Sequence, residues 1–253
     1  MAKASAAGRT KTRMVPPLTQ NEAAQFNTAF LQDIAATLID AQRHAAIQPA
    51  MAYAPAGSEA FFRTILPAGI ELLETVGPSL GFCLNRAFEN LLASGYGSVC
   101  LLNADSPTMP AAYLVTAATL LAAEGDRMVI GPSTDGGYYL IGLKQAQMAL
   151  FDNIDWSTER VFSQTLERAK SINLPVVTLP TWYDVDDAES LRHLAAELLD
   201  GKLFRDLGSE APPARASREL LRHLIKTAEL SERLGLAKQL EARATVSGTD
   251  DRA

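Results

Sequence analysis

The chain has 253 residues, 47% of them apolar and 21% charged, with a mean hydropathy of +0.02. That balance supports one α/β core with a modest appendage and excludes disordered, collagen-like and disulfide-rich secreted chains. The net charge of −6 argues against a general nucleic-acid binder, and the longest near-apolar stretch, Tyr113 to Ala123, is too short to span a bilayer.

The start is locally basic. Lys3, Arg9, Lys11 and Arg13 precede the first acid, Glu22, which leaves 19 basic against 29 acidic residues in the rest. No apolar core of a secretory signal accompanies these charges. A transit peptide, a solvated tail and an anion-binding loop all fit the composition. Thr19 and Glu22 have capping-box spacing, and the helix expected from Asn21 to about Ala41 places Phe26, Phe30, Ile34 and Leu38 on one face. Ala50 to Ala54 reads as a short strand. Ser79 to Ala93 reads as a helix closed by Ser94-Gly95.

Ser98 to Asn103 is a short, continuously apolar strand, of the kind buried on both faces of a parallel sheet. Ala111 to Ala123 is an expected helix ended by Gly125. Met128 to Ile130 and Tyr138 to Leu143 read as strands, Thr158 to Ala169 as a helix, Val176 to Leu179 as a strand and Ala188 to Leu199 as a helix. This alternation implies crossovers and a mostly parallel sheet in a three-layer α/β fold. After Gly201 the character changes. Ala211-Pro-Pro-Ala reads as a linker, Arg218 to Leu240 as a charged amphipathic helix or helix pair, and the last dozen residues as frayed. The expected division is a core over 1–200 and a linker with a helical tail over 201–253.

Four segments are candidates for chemistry. In Lys3-Ala-Ser-Ala-Ala-Gly8-Arg-Thr-Lys11-Thr12-Arg13, small residues let a ligand approach the backbone, and the cations match phosphate oxygens. It is not a Walker A loop, because Arg9 and Thr10 separate the glycine from Lys11. In Leu101-Leu-Asn-Ala-Asp105-Ser-Pro107, a carboxylate stands at the carboxyl end of a buried strand, where open α/β sheets bind ligands. Such a carboxylate suits Mg²⁺ or Mn²⁺, and it equally suits a turn or helix cap. Asp135-Gly136-Gly137-Tyr138 joins two strands as a tight connection. Its glycines would also admit a sugar or base close to the backbone. Asp184, Asp186 and Asp187 crowd three carboxylates into four positions; they suit a cation or the first turn of the next helix.

Other catalytic plans lack support. His44, His193 and His223 have no metal-ligand spacing, and there is no Gly-x-Ser-x-Gly, no His-Glu-x-x-His and no dinucleotide fingerprint. Cys83 and Cys100 form no cluster and suggest reduced thiols in a cytoplasmic protein.

Taken together, the basic Lys-x-x-x-x-Gly-x-x-Lys-Thr-Arg start, the strand-Asp-x-Pro segment, Gly-Pro-x-x-Asp-Gly-Gly-Tyr-Tyr-Leu-Ile-Gly-Leu (131–143), Trp-Ser-Thr-Glu (156–159) and Asp-Val-Asp-Asp (184–187) resemble the DUF2064 family. It is also called radical-SAM/selenodomain-associated transferase 1, and is related to MobA-like and phospholactate guanylyltransferase proteins. The resemblance covers roughly residues 1–200. It implies a GT-A, nucleotide-diphospho-sugar-transferase-like fold and a nucleotide substrate, either an NTP or an NDP-sugar, with a small-molecule acceptor. By that likeness Lys3, Gly8, Lys11, Thr12 and Arg13 would cradle the phosphates. Asp105, Asp186 and the neighbouring Asp184 would hold Mg²⁺ or Mn²⁺. Asp135, Gly136, Gly137 and Tyr138 would line the acceptor or sugar pocket.

The chain departs from the family pattern at three places. Only Met1-Ala2 precede Lys3, where the resemblance implies a central first strand, so the expectation is a start further upstream with Met1 inside that strand. The family's proline near Ser5 is absent. Where relatives carry Gly-Glu-Arg, this chain reads Leu80-Gly-Phe-Cys-Leu84. The expected activity is metal-assisted transfer at a phosphate, with Asp105, Lys11 and Arg13 as the catalytic set. Nucleotidyl transfer is the leading form, glycosyl transfer from an NDP-sugar the alternative, and a non-catalytic nucleotide-binding protein the rival class. The C-terminal helix is expected either to pack on the core or to form a homodimer.

Overall fold

The computed structural model describes residues 1–204 and 214–235. Among them the chain order is β1 (Ala2–Lys3), α1 (Gln20–Gln42), β2 (Ala50–Ala54), α2 (Glu59–Ile65), β3 (Glu71–Glu74), α3 (Leu80–Ala93), β4 (Val99–Leu102), α4 (Ala111–Ala122), β5 (Met128–Pro132), β6 (Tyr138–Leu143), α5 (Val161–Ser171), β7 (Val176–Thr178), α6 (Ala188–Asp200), α7 (Arg215–Thr227) and α8 (Leu230–Arg233).

The strands form two ladders. β1, β2 and β3 are mutually parallel, with Ala2 opposite Tyr53 and Ala50 opposite Glu71. The second ladder has the order β4-β6-β5-β7. There β6 is antiparallel to both β4 and β5, while β7 is parallel to β5. β4, β5 and β7 therefore share a direction and β6 runs against them. The apolar run of β4 was expected between parallel neighbours, but its partner is the antiparallel β6. Burial dictates an apolar strand, whereas strand direction is set by the connections.

The two ladders meet at β1 and β4, where the Met1 nitrogen donates to the Leu102 carbonyl (2.7 Å). Beside that contact lies a cavity of about 170 Å³, lined by Met1, Ala50–Ala52 of β2 and Val99–Leu102 of β4.

Helices cover both faces of the sheet. On one face Val129 and Leu140 pack with Phe26 and Phe30 of α1, Leu114 of α4, Leu194 of α6 and Leu221 of α7. On the other, Met128, Ile130 and Ile141 pack with Leu84 and Phe88 of α3 and Ala169 of α5. Alternation along each strand divides the core in this way and yields the expected three layers.

Local signals explain several boundaries. α1 starts where the Thr19 hydroxyl accepts from the Glu22 amide (3.2 Å) and the Glu22 carboxylate accepts from the Thr19 amide (2.7 Å). α5 starts at Val161 rather than at the expected Thr158. Ser157 adopts a positive φ, and the Thr158 hydroxyl donates back to the Asp155 carbonyl (2.7 Å), which holds that segment as a loop. In the tail the break falls between Thr227 and Leu230, so the expected helix is a pair. Residues 211–213 of the expected linker, 236–240 of the expected helix and the final dozen residues lie outside the described residues.

The tail packs on α1. The Asp33 carboxylate caps α7, accepting from the amides of Ala216 (2.8 Å) and Ser217 (2.9 Å) and from the Ser217 hydroxyl (2.5 Å). Among the described residues no helix is long and apolar enough to cross a membrane.

Candidate functional site

The loops that follow β1, β4, β5 and β7 meet at one end of the sheet. α1 fastens the loop after β1: the Asn27 side-chain amide donates to the Lys3 carbonyl (3.1 Å) and the Ser5 hydroxyl (2.8 Å), and the Thr28 hydroxyl donates to Ser5 (2.8 Å). Gly8 takes a positive φ of 71° in a tight turn in which the Arg9 amide donates to the Ala6 carbonyl (3.0 Å). Lys11 then adopts the left-handed region (φ 51°, ψ 40°) ahead of a 3-10 turn over Thr12–Met14. This conformation turns its side chain inward, where it is only 6% exposed.

The Lys11 ammonium bonds to the Val185 carbonyl (2.8 Å), Asp186 Oδ1 (2.9 Å) and the Asp105 carboxylate, and lies 5.2 Å from the centre of the Phe30 ring. Burial alone would lower the Lys11 pKa, but the two carboxylates reverse that and raise it. Arg13, largely exposed, reaches the second oxygen of Asp186 (2.5 Å). Asp105 and Asp186 keep about a third of their side chains open to solvent (35% and 28%). Two carboxylates, two cations and a main-chain carbonyl, separated by up to 175 positions in sequence, thus share one solvent-facing point.

The three crowded aspartates have separate partners. Asp187 caps α6 through a reciprocal pair with Ser190, and those bonds hold its pKa down. Asp186 serves Lys11 and Arg13. Asp184 is half-buried and ties its own loop to two others, accepting from Asn103 Nδ2 (2.7 Å), Ser106 Oγ (2.5 Å) and Ser133 Oγ (2.7 Å). Burial raises the Asp184 pKa to about 6, against the pull of those hydrogen bonds. The Val185 amide donates to the Asp105 carbonyl (2.8 Å), which completes the clasp.

The other expected residues are spread around this centre. Lys3 at the end of β1, Gly8 on the loop and Thr12 in the 3-10 turn are all exposed, and among the described contacts the side chains of Lys3 and Thr12 make no bond to the carboxylates. Asp135 is exposed, and its Oδ1 accepts from the Gly137 amide (2.9 Å). Gly136, at φ 86°, lies so close to the Trp156–Glu159 loop that a Cβ would stand 2.2 Å from the Glu159 carbonyl oxygen. The Phe162 amide donates to the Gly136 carbonyl (2.8 Å), so α5 begins against this turn. The Tyr138 ring packs on the α3–α5 side of the core, and burial raises its hydroxyl pKa.

Asn103, Ser106 and Ser133 went unnoticed in sequence, although the first two flank Asp105 in Asn-Ala-Asp-Ser. A polar pair beside a strand-end aspartate is the signal that points to them.

The arrangement suits a hard divalent cation of the Mg²⁺ or Mn²⁺ kind. Asp105 and Asp186 converge on one point, marked by an ammonium that binds both, and the Val185 carbonyl faces the same point. Among the described residues no three His, Cys, Asp or Glu side chains form a closed cage. Two carboxylates completed by substrate oxygens and water match how Mg²⁺ is held beside phosphates.

No curated protein matches this chain. Two structures with low superposition scores are Rv0371c from Mycobacterium tuberculosis H37Rv and its homologue from Mycobacterium sp. strain JC1. They are 18% and 14% identical, cover 76% and 79% of this chain and 94% and 96% of their own, and have TM-scores of 0.44 and 0.45. The crystal structure of a putative nucleotide-diphospho-sugar transferase from Desulfovibrio desulfuricans G20 superposes with a TM-score of 0.74. It is 27% identical and covers 89% of this chain and 93% of that one. Residues 37–158, from within α1 to the loop before α5, match the family model described as "Uncharacterized protein conserved in bacteria (DUF2064)". Nearly half of the chain thus resembles the DUF2064 family model, and the fold is similar to that of the Desulfovibrio protein.

Proposed function

We propose that this protein is a transferase acting on a nucleotide substrate, with a divalent cation at Asp105 and Asp186. The observation that carries this reading is the convergence of Lys11, Arg13, Asp105 and Asp186 on one solvent-facing point beside the Gly8 turn. A polyphosphate needs several cations close together as its leaving group gathers charge. The cation, when bound, supplies Lewis-acid stabilisation of that charge.

In the leading form the substrate is an NTP. The Gly8 turn would bring main-chain amides close to the phosphates, and Arg13, largely exposed, would exchange Asp186 for their oxygens. Asp105 and Asp186 fix the cation, and Asp184 keeps their loops in register. An acceptor oxygen held near Asp135–Gly137, either an anionic phosphate oxygen or a hydroxyl that gives up its proton to solvent, attacks the α-phosphorus, the bond to the bridging oxygen breaks, and pyrophosphate leaves. A second form is favoured by the likeness to the Desulfovibrio protein: attack at the anomeric carbon of an NDP-sugar, with release of a nucleoside diphosphate. Both forms leave a phosphate group at the same cations, and both take place in a cytoplasmic protein.

The test is thermal stabilisation by each NTP and by common NDP-sugars, with and without Mg²⁺ or Mn²⁺, repeated on Asp105→Ala. Stabilisation by NTPs that needs both the metal and Asp105 supports nucleotidyl transfer, and the same pattern with NDP-sugars supports glycosyl transfer. Stabilisation that persists without the metal and in Asp105→Ala points instead to a non-catalytic nucleotide-binding protein.

A further inference from the structure

We infer that Lys11 and the divalent cation are alternative occupants of one position, so that loading the cation expels the Lys11 ammonium and frees it for phosphate oxygens. The inference rests on the transferase reading for the nature of the cation and otherwise on the geometry of Lys11.

An ammonium has three N–H donors and no acceptor. Lys11 directs them at three oxygens, the Val185 carbonyl, Asp186 Oδ1 and the Asp105 carboxylate. All its donors are committed, so in this state it has none left for a phosphate. The same three oxygens are the hard donors that a Mg²⁺-like ion requires. One ammonium and one divalent cation cannot share them, because two cations at that separation repel strongly and the oxygens are too few to screen them. The charge balance agrees: Asp105 and Asp186 carry two negative charges, Lys11 supplies one positive charge, and Arg13 reaches the outer oxygen of Asp186 to supply the other. A divalent ion meets the demand of both carboxylates alone and releases both side chains together.

The exit is open. The carboxylates are partly solvent-exposed, and Arg13 on the same side is 71% exposed. The left-handed backbone at Lys11 is disfavoured for a residue with a side chain, so it relies on the contacts of its ammonium and relaxes when they are lost. Lysine thus holds the empty site together and competes with the metal. The protein gains affinity for the metal when phosphate oxygens arrive to receive the ammonium, so metal and nucleotide load together.

The experiment measures Mn²⁺ binding by titration followed by electron paramagnetic resonance on the full chain without nucleotide. Wild type is compared with Lys11→Met, and Asp105→Asn serves as the ligand-loss control. Exchange predicts Mn²⁺ binding about tenfold or more tighter in Lys11→Met than in wild type. A second measurement needs no variant: acylation of wild-type Lys11 by a water-soluble amine-reactive ester, mapped by mass spectrometry. Lys11 should be protected without metal and should react several-fold faster at saturating Mn²⁺. Mn²⁺ binding of equal strength in both proteins, or a Lys11 that stays protected at saturation, overturns the exchange and leaves the metal site standing. If neither protein binds Mn²⁺, with or without NTP, the exchange is overturned together with the metal-dependent reading.

Discussion

The Arg233 guanidinium grips both oxygens of the Glu22 carboxylate, at 2.8 and 2.6 Å, across 211 positions of sequence. It also donates to the Pro17 carbonyl (2.8 Å). The end of the described tail is therefore fastened to the first turn of α1, the helix that begins where the basic loop ends. The hydrogen bonds from Arg233 hold the Glu22 carboxyl down at about 2. Replacing Arg233 by Met should lower stability by about 2 kcal/mol at neutral pH, since it strands a nearly buried, capping carboxylate. A cycle with Glu22→Gln, read by urea denaturation, should show coupling of at least about 1 kcal/mol. The sign with pH also follows. A depressed carboxyl contributes stability above its unfolded pKa of 4.5 and loses it as pH falls toward 2. Arg233→Met should therefore flatten the acid limb of the stability profile.

Gly136 admits no side chain. Its positive φ and the 2.2 Å approach of a Cβ to the Glu159 carbonyl oxygen both oppose one, and the obstacle is backbone. Gly136→Ala should cost roughly 2–4 kcal/mol and displace the Asp135 turn from the Trp156–Glu159 loop. Gly137→Ala is the comparison, because there a Cβ meets only the movable Asp135 side chain at 3.1 Å. Equal melting temperatures for the two variants would refute this account.

Asp184 is a joint between loops. Its removal as Asp184→Ala leaves Asn103 Nδ2 and the hydroxyls of Ser106 and Ser133 without their acceptor, at a cost of about 3 kcal/mol. Asp184→Asn should lose much less, because an amide still accepts on one side, and it removes a charge that burial disfavours. Thermal melts of the two variants at pH 7 separate a bonding role from a charge role.

How much of this was readable in sequence depends on the range of the signal. The Thr19–Glu22 box, the strand Tyr138–Leu143 and the turn between β5 and β6 are written in neighbouring residues and appear as expected. β3 was missed because Glu-Leu-Leu-Glu offers two apolar residues between charges, and only pairing with β2 makes it a strand. Lys11, Asp105 and Asp186 were each recognisable as polar residues on candidate loops. The family resemblance implied that Asp105 and Asp186 share a site, but the bonding of Lys11 to both was not legible, because it arises from the meeting of three strand ends. Asp184 and Asp186 show the limit most clearly. Two positions apart, chemically identical and both half-buried, they share no partner.

The contacts of α7 and α8 with α1 also bear on how far the protein can be shortened. A cut at Gly201 would remove the amides and hydroxyl that Asp33 accepts from and the guanidinium that Glu22 accepts from, and so strand two carboxylates on one helix. A minimal fragment that keeps the sheet and its loops therefore has to keep the two helices beyond residue 214 as well.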